Sequence, residues 1–503
     1  MLLADLVATS AAVAATRSRK AKVAALADRL RAADRAELET VVSYLGGALR
    51  QRRTGLGWRS LTELPEPATQ PSLSVRQVDA AFTAIAAVGG AGSQQARAEL
   101  TADLFAAATA AEQTWLRGVI TGEVRQGALD SLVQEALGAA AEVPLPVVRR
   151  AAMLAGSTVA VAGLAFDGEA ALAEVTLVVG RPVLPMLASS AGSVAEALTR
   201  LDGSAVVDTK LDGIRIQVHR RGEEVRIATR TLDDITARLP EVVELVRGLP
   251  AASLVLDGEA MTLGEDGRPR PFQETASRTA TRGDPTAAVA PYFFDLLHLD
   301  GRDLFDEPLA TRLAALDRLV PAAHRVSRAA VTDADAGEAF AAAALASGHE
   351  GVVLKDPDLP WEAGRRGAGW IKVKPVHTVD LVVLAVEWGS GRRRGWLSNI
   401  HLGARDPATG GFTMVGKTFK GMTDDVLRWQ TEHFLGIETH RDAHTVQVEP
   451  VTVAEIALDG VQRSSRYSGG VALRFARLVR YRDDKRPQDT DTIDAVRALL
   501  PSS

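Results

Sequence analysis

The 503-residue chain contains no cysteine. Disulfides and thiolate-bound zinc are therefore excluded. No apolar run approaches the ~20 residues that a membrane-spanning helix needs. The N-terminus, MLLADLVATSAAVAATRSRK, is apolar and then basic. That order is the reverse of a secretory signal and reads as an amphipathic helix. No GxxxxGK[ST] sequence is present, which speaks against a P-loop NTPase. Aromatic residues make up only 5% of the chain. Lysine is scarce too. It stands at nine positions (20, 22, 210, 355, 372, 374, 417, 420 and 485) among 58 basic residues. Arginine thus serves wherever a positive charge alone is needed. Arginine does not give up its proton in a protein, whereas lysine can, and it then becomes a nucleophile. Each lysine retained in an ordered segment is a candidate for chemistry that arginine cannot perform.

Hydrophobic residues form 46% of the chain, a normal share for globular cores, and the length suggests three or four domains. The net charge of −5 gives no general sign of a nucleic-acid partner. Its distribution does. Between Arg463 and Arg486 stand eight basic residues against two acids, and Arg392, Arg393 and Arg394 form a basic run. Single runs of this kind are often solvated faces. Several in different regions fit a track along a phosphate backbone.

Residues 1 to about 180 carry apolar residues at three- and four-residue spacing and are predicted to be helical. Asp34 and Ser72 or Ser74 are candidate N-caps. The first β-like pattern is GSTVAVAGLAF, residues 156–166. The segment VVGRPVLPMLAS marks the next boundary. From about 181 to 376, short strands (AVVDTKLDGIRIQVHRR, EEVRIATRT, LVLDGEAMTL, PYFFDLLHLDG, EGVVLKD, GWIKVKP) alternate with helices, as in an α+β domain. Residues 377–503 read as short strands joined by turns, which predicts a small β-barrel.

The chemistry concentrates in the middle part. In TKLDGIR, strand alternation puts Lys210 and Asp212 on one face, and Gly213 can bring Arg215 back to it. In WIKVKP, Lys372 and Lys374 share a face. Asp257 and Glu259 do so in LVLDGEAM. Glu350 and Lys355 bracket EGVVLK. Glu259 and Glu350 are candidate magnesium ligands, because that ion takes one or two carboxylates beside phosphate oxygens and water. One of Phe293 and Phe294 belongs in the core, and the other is placed to stack on a purine. Taken singly, each of these residues has an ordinary structural explanation. Together they suit nucleotidyl transfer through a covalent lysine adduct.

These segments resemble, in order, the motifs of the covalent nucleotidyltransferases, and most closely those of the ATP-dependent DNA ligases. Lys210–Gly213 is similar to the family's KxDG, with Arg215 following. Arg230 falls in the second motif, Glu259 in the third and Glu350 with Lys355 in the fourth. Lys372 and Lys374 fall in the fifth, with Arg366 shortly before. LRFARLVRYRDDK resembles the sixth, whose RxDK ending falls on Arg482, Asp484 and Lys485. RPVLPMLAS and RPFQETASR resemble flanking segments, and WLRGVITGEVRQGA, which contains Arg125, resembles the signature of a helical DNA-binding domain. The resemblance implies an all-α DNA-binding domain (1–180), an α+β adenylation domain (181–376) and an OB-fold β-barrel (377–503). It implies ATP as nucleotide, AMP carried on Lys210, and magnesium, or manganese in its place, held by Glu259 and Glu350. Asp208, Thr209, Arg215, Arg230, Glu259, Phe294, Arg366, Lys372 and Lys374 would surround the nucleotide, with Lys355 also offsetting phosphate charge. Arg125, Arg474, Arg477, Arg482 and Lys485 would contact DNA or pyrophosphate. The implied partner is nicked double-stranded DNA, met in repair, replication or recombination, with no membrane. The expected protein is a cytoplasmic, nucleoid-associated monomer.

Other readings fit less well. A capping guanylyltransferase would use GTP and has no need of a long helical part before the lysine. An RNA ligase would not carry the TGEVRQGA segment. An NAD-dependent ligase would bring a cysteine zinc site, and a catalytically silent DNA-binding protein would not be expected to keep Lys210, Glu259 and Lys372.

Overall fold

Local signals set the N-terminal helices. Ser74 caps the helix Val75–Ala87, its hydroxyl accepting from Gln77 N at 3.2 Å while the Gln77 side chain accepts from Ser74 N at 2.8 Å. Thr109 and Glu112 repeat the device on Ala110–Thr121. Asp34 precedes only a short 3-10 turn and makes no capping bond. The structure is a computed structural model. It describes all residues except 52, 91, 125, 128–129, 265–266, 271–273, 277–288, 363–365, 391–392 and 501–503, and the backbone alone of 366–368. Through Glu169–Ala173 the described elements are α- and 3-10 helices packed on one core that runs from Leu3 to Leu172. The β-like pattern GSTVAVAGLAF is overruled: it forms a 3-10 turn, Val159–Val161, and a helix, Ala162–Asp167. Val161, Ala162 and Ala165 are fully buried against the other helices, and that packing outweighs local β propensity. Among the described residues no single helix is long and apolar enough to cross a membrane.

Two five-stranded sheets form the middle part. The strands, in chain order, are β1 (Leu187–Ala191), β2 (Ala205–Lys210), β3 (Ile214–Arg221), β4 (Glu224–Thr229), β5 (Ser253–Thr262), β6 (Val289–Leu299), β7 (Arg302–Asp303), β8 (Arg328–Val331), β9 (Gly351–Lys355) and β10 (Arg366–Val373). One sheet has the order β1-β10-β9-β2-β8 and the other β4-β3-β5-β6-β7. The single strand expected over AVVDTKLDGIRIQVHRR is therefore two. The chain leaves the first sheet at Lys210 and enters the second at Ile214. Helices Val194–Arg200 and Ala334–Ala346 cover the first sheet, and Pro240–Arg247 and Leu309–Leu319 the second. A further apolar cluster joins Met153 and Leu154 of the helical part to Met186, Trp361 and Trp370.

The C-terminal part is built on β11 (His377–Trp388), which pairs with β12 (Leu397–Arg405) along one edge. Along the other edge it pairs in succession with β16 (Val453–Leu458) and β15 (Thr445–Val448). Strands β13 (Phe412–Thr418) and β14 (Glu438–Arg441) extend this sheet, and β17 (Gly460–Arg463) pairs with β18 (Val471–Arg474). A helix, Asp424–Gly436, is inserted among the expected strands. Its signal was Thr423, which caps it, followed by Asp424 and Asp425 in the first turn. The run ALRFARLVRYR is broken at Phe475, whose φ of +54° is left-handed, and resumes as β19 (Arg477–Tyr481).

The second sheet buries an ion pair completely. Arg312 donates to Asp295 at 2.8 and 3.0 Å, and neither side chain is exposed. Removing one partner leaves an uncompensated charge in the core. Arg312→Ala is expected to lower the unfolding free energy by about 3–5 kcal/mol in denaturant titration. A loss below about 1 kcal/mol, the level of an exposed pair, would show that the charge is not buried.

Candidate active site

Lys210 ends β2, directly opposite Gly351 at the start of β9. Glu350 N donates to Lys210 O at 3.0 Å, so strand pairing itself delivers the Glu350 carboxylate to the lysine. Lys210 Nζ lies 2.5 Å from Glu350 Oε2, and Lys374 Nζ donates to the other oxygen. Burial pushes the Glu350 carboxyl up, but the two ammonium groups outweigh it and hold it below its ordinary value.

The three residues after Lys210 cross from one sheet to the other. Gly213 is required there by contact: a Cβ would lie 2.4 Å from the Ala260 carbonyl oxygen and 2.9 Å from Glu259 Cγ. This close passage sets Arg215 opposite Glu259 in the β3–β5 register. Desolvation of the partly buried Glu259 pushes its carboxyl up to about 7 against the pull of Lys210 and Arg215.

Arg215 faces inward. It donates to Asp257 at 3.0 and 2.6 Å and to Met186 O at 2.6 Å. Its guanidinium lies 5.5–5.8 Å from the rings of Phe294, Trp361 and Trp370. Lys355 also lines the cavity; it is 2% exposed and 2.6 Å from Asp208 Oδ2. It also lies 4.6 and 4.2 Å from the Phe294 and Trp370 rings. Its charge is matched within the protein. Burial pushes the Asp208 carboxyl up, opposed by Lys355. Phe293 is fully buried in the core, while Phe294 lines the cavity edge-to-face with Trp370.

These groups enclose a cavity of about 640 Å³, a size suited to a nucleotide. Asp208, Thr209, Lys210, Arg215, Arg230, Glu259, Phe294, Glu350, Lys372, Lys374 and Arg474 all line it. The barrel closes one side. Arg474 donates to Asp212 at 2.8 Å, and Phe475 lies beside it in the lining. Sequence reading did not single out Phe475; an aromatic 57% exposed in a chain poor in aromatics was the available signal. Arg477, Arg482 and Lys485 are not brought to the cavity. Arg477 pairs with Asp459 at 3.7 Å. Arg482 pairs with Asp484 at 2.7 Å and Asp380 at 3.3 Å, and Lys485 also pairs with Asp380. Arg366 begins β10, but its side chain, and all of Arg125, Arg392 and the PFQ segment at 271–273, lie outside the described residues.

Among the described residues no group of three or more histidines or carboxylates forms a ready-made metal cage. The two expected ligands, Glu259 and Glu350, do share the cavity, whose lining also holds Asp208 and Asp212, paired with Lys355 and Arg474. That sparse donor set fits a hard cation that takes most of its ligands from phosphates and water.

A two-sheet core with a lysine at the crossing and a barrel across the opening defines a nucleotidyltransferase with an appended OB-fold domain. Comparison with known proteins identifies the family. Residues 185–374 match the family model "ATP dependent DNA ligase domain", residues 393–485 the "ATP dependent DNA ligase C terminal region", and residues 59–138 the "DNA ligase N terminus". A "Probable DNA ligase" of Nocardioides sp. is 70% identical over 506 residues, covering 99% of both chains. Another, of Kineococcus radiotolerans, is 64% identical over 504 residues, covering 99% of this chain and 100% of its own. The solved structure named "Pmar-Lig_Pre." covers 95% of this chain and 99% of its own at a TM-score of 0.65. At 18% identity it speaks for the fold alone. The chain belongs to the ATP-dependent DNA ligases.

The raised Glu259 carboxyl has a measurable consequence in the metal-free protein. The folded state binds this proton up to about pH 7, while an unfolded glutamate releases it near its ordinary value of 4.5. Stability is therefore expected to fall as pH rises through that window. Glu259→Gln should remove this part of the slope in chemical denaturation. An identical slope in the variant would mean that Glu259 ionises normally.

Proposed function

We propose that Lys210 is the nucleophile of a nick-sealing reaction with three displacements at phosphorus. In the first, the Lys210 amine attacks the α-phosphate of ATP. A P–N bond forms, the P–O bond to the β-phosphate breaks, and pyrophosphate leaves. The proton lost from the amine has the Glu350 carboxylate as its nearest acceptor. In the second, an oxygen of the 5′-phosphate at a nick attacks the same phosphorus, the P–N bond breaks, and Lys210 regains a proton. In the third, the neighbouring 3′-hydroxyl attacks the 5′-phosphate, loses its proton, and AMP departs.

The observation that carries this reading is the pairing of Lys210 and Lys374 through one carboxylate, in a nucleotide-sized cavity. Lys372 and Lys374 offset the charge of the transferring phosphate. Asp208 and Thr209 lie beside the purine and Phe294 stacks on it. Arg215, Arg230 and Arg366 complete the nucleotide surroundings. Glu259 and Glu350 would hold magnesium, or manganese, whose charge stabilises the phosphate oxygens. The helical part, including Arg125, together with Arg474 and Arg477, holds duplex DNA mainly by its phosphates, so binding weakens steeply with salt. Arg482 and Lys485 act on pyrophosphate in the first displacement, which requires the barrel to present another face than the one now turned to the cavity. The enzyme works as a monomer on chromosomal DNA in the cytoplasm, in repair, replication or recombination.

Sealing of a labelled, singly nicked duplex with magnesium is expected with ATP and not with GTP or NAD, and is expected to be lost in Lys210→Ala. Normal sealing by that variant would remove Lys210 from its role, and an adduct formed without sealing under any nucleotide would favour the capping or RNA-ligase reading. Arg482→Ala is expected to slow self-adenylylation more than the sealing of a pre-adenylylated nick. Equal loss in both would place Arg482 elsewhere in the cycle.

A further inference from the structure

The barrel meets cavity-lining side chains with charges of both signs. Arg474 supplies a guanidinium to Asp212. Asp459, at the corner between β16 and β17, supplies a carboxylate: its Oδ2 lies 3.8 Å from Lys374 Nζ. Arg477, on the barrel itself, stands 3.7 Å from the other Asp459 oxygen, and Asp459 N donates to Arg474 O at 3.0 Å. The side chains are only partly exposed, 17% for Lys374 and 24% for Asp459. A line of alternating charge therefore runs from the nucleophile into the barrel: Lys210, Glu350, Lys374, Asp459, Arg477.

We infer that Asp459 is a positioning residue that competes with the nucleotide's phosphates for Lys374, and so links docking of the barrel to the departure of pyrophosphate. The inference rests on the nucleotidyl-transfer reading of the cavity. Lys374 lines that cavity beside Lys210, where the triphosphate must lie. A carboxylate 3.8 Å from this ammonium offsets part of the charge that a further phosphate would otherwise meet there. With the triphosphate bound, anionic Asp459 is repelled and this barrel contact opens. Once pyrophosphate has left, a single phosphate remains on Lys210 and Asp459 can return. Competition of this kind is reciprocal: docking of the barrel weakens binding of the triphosphate by the same factor as the triphosphate weakens docking, so loss of the Asp459 charge favours the triphosphate and disfavours docking.

The test compares two half-reactions in the full-length enzyme. One is self-adenylylation at varied ATP, and the other is sealing of a pre-adenylylated nick without ATP. Asp459→Asn keeps the shape and the backbone bond but removes the charge. The expected result is a KM for ATP lowered about threefold, with sealing of the pre-adenylylated nick slowed to a similar extent, as befits one partly exposed ion pair. Asp459→Glu is expected to restore both values toward the wild type, which a merely structural role for the asparagine-sensitive site would not predict. An unchanged KM for ATP in Asp459→Asn, or equal slowing of both half-reactions, would overturn the inference. Failure of the wild-type protein to form any adduct would instead overturn the underlying reading, whatever Asp459 does.

Discussion

One carboxylate holds the site together. Glu350 accepts from both Lys210 and Lys374, and without it two ammonium groups would face each other across a partly buried cavity. Like charges in such a setting repel strongly, because solvent screens them poorly. The shared partner lets the chain keep both cations where phosphate must bind. It also leaves the nucleophile beside a proton acceptor. Its position follows from strand pairing: Lys210 opposite Gly351 places Glu350 one residue away, with a main-chain bond between them.

The same economy of charge governs the surroundings. Asp208 is matched by Lys355, Asp257 by Arg215 and Asp295 by Arg312, each pair buried between or beneath the sheets. Rings of Phe294, Trp361 and Trp370 lie against the cations Arg215 and Lys355. Outside these three pairs, Lys210, Lys372 and Lys374 line the cavity. The floor of the cavity is thus a rigid, charge-balanced layer, and the reactive groups stand on it.

Much of this was legible in the sequence for a physical reason. Short strands alternate their faces, so Lys372 with Lys374 and Asp257 with Glu259 announce which residues share a side. Gly213 was read as a break in strand alternation, and the structure adds that a Cβ there would meet the Ala260 carbonyl. What could not be read is long-range pairing. Asp212 meets Arg474 across 262 residues, and no local pattern links them. Lys355 looks from its strand like one more phosphate-binding lysine, and only the packing shows it turned to Asp208. The helix Asp424–Gly436 was hidden in a region dominated by strand patterns, although Thr423 marks its start. Conversely, GSTVAVAGLAF looked like a strand because its valines are β-branched, yet burial among helices decided its conformation.

The barrel therefore completes the cavity with Arg474 and Phe475, and the middle part supplies the chemistry. The most direct test of that chemistry is to incubate the protein with ATP and magnesium, digest it, and locate the covalently bound AMP by mass spectrometry of the lysine-bearing peptides. The account requires AMP on Lys210 and on none of the other eight of the nine lysines. AMP on Lys355, Lys372 or Lys374, with Lys210 unmodified, would contradict it.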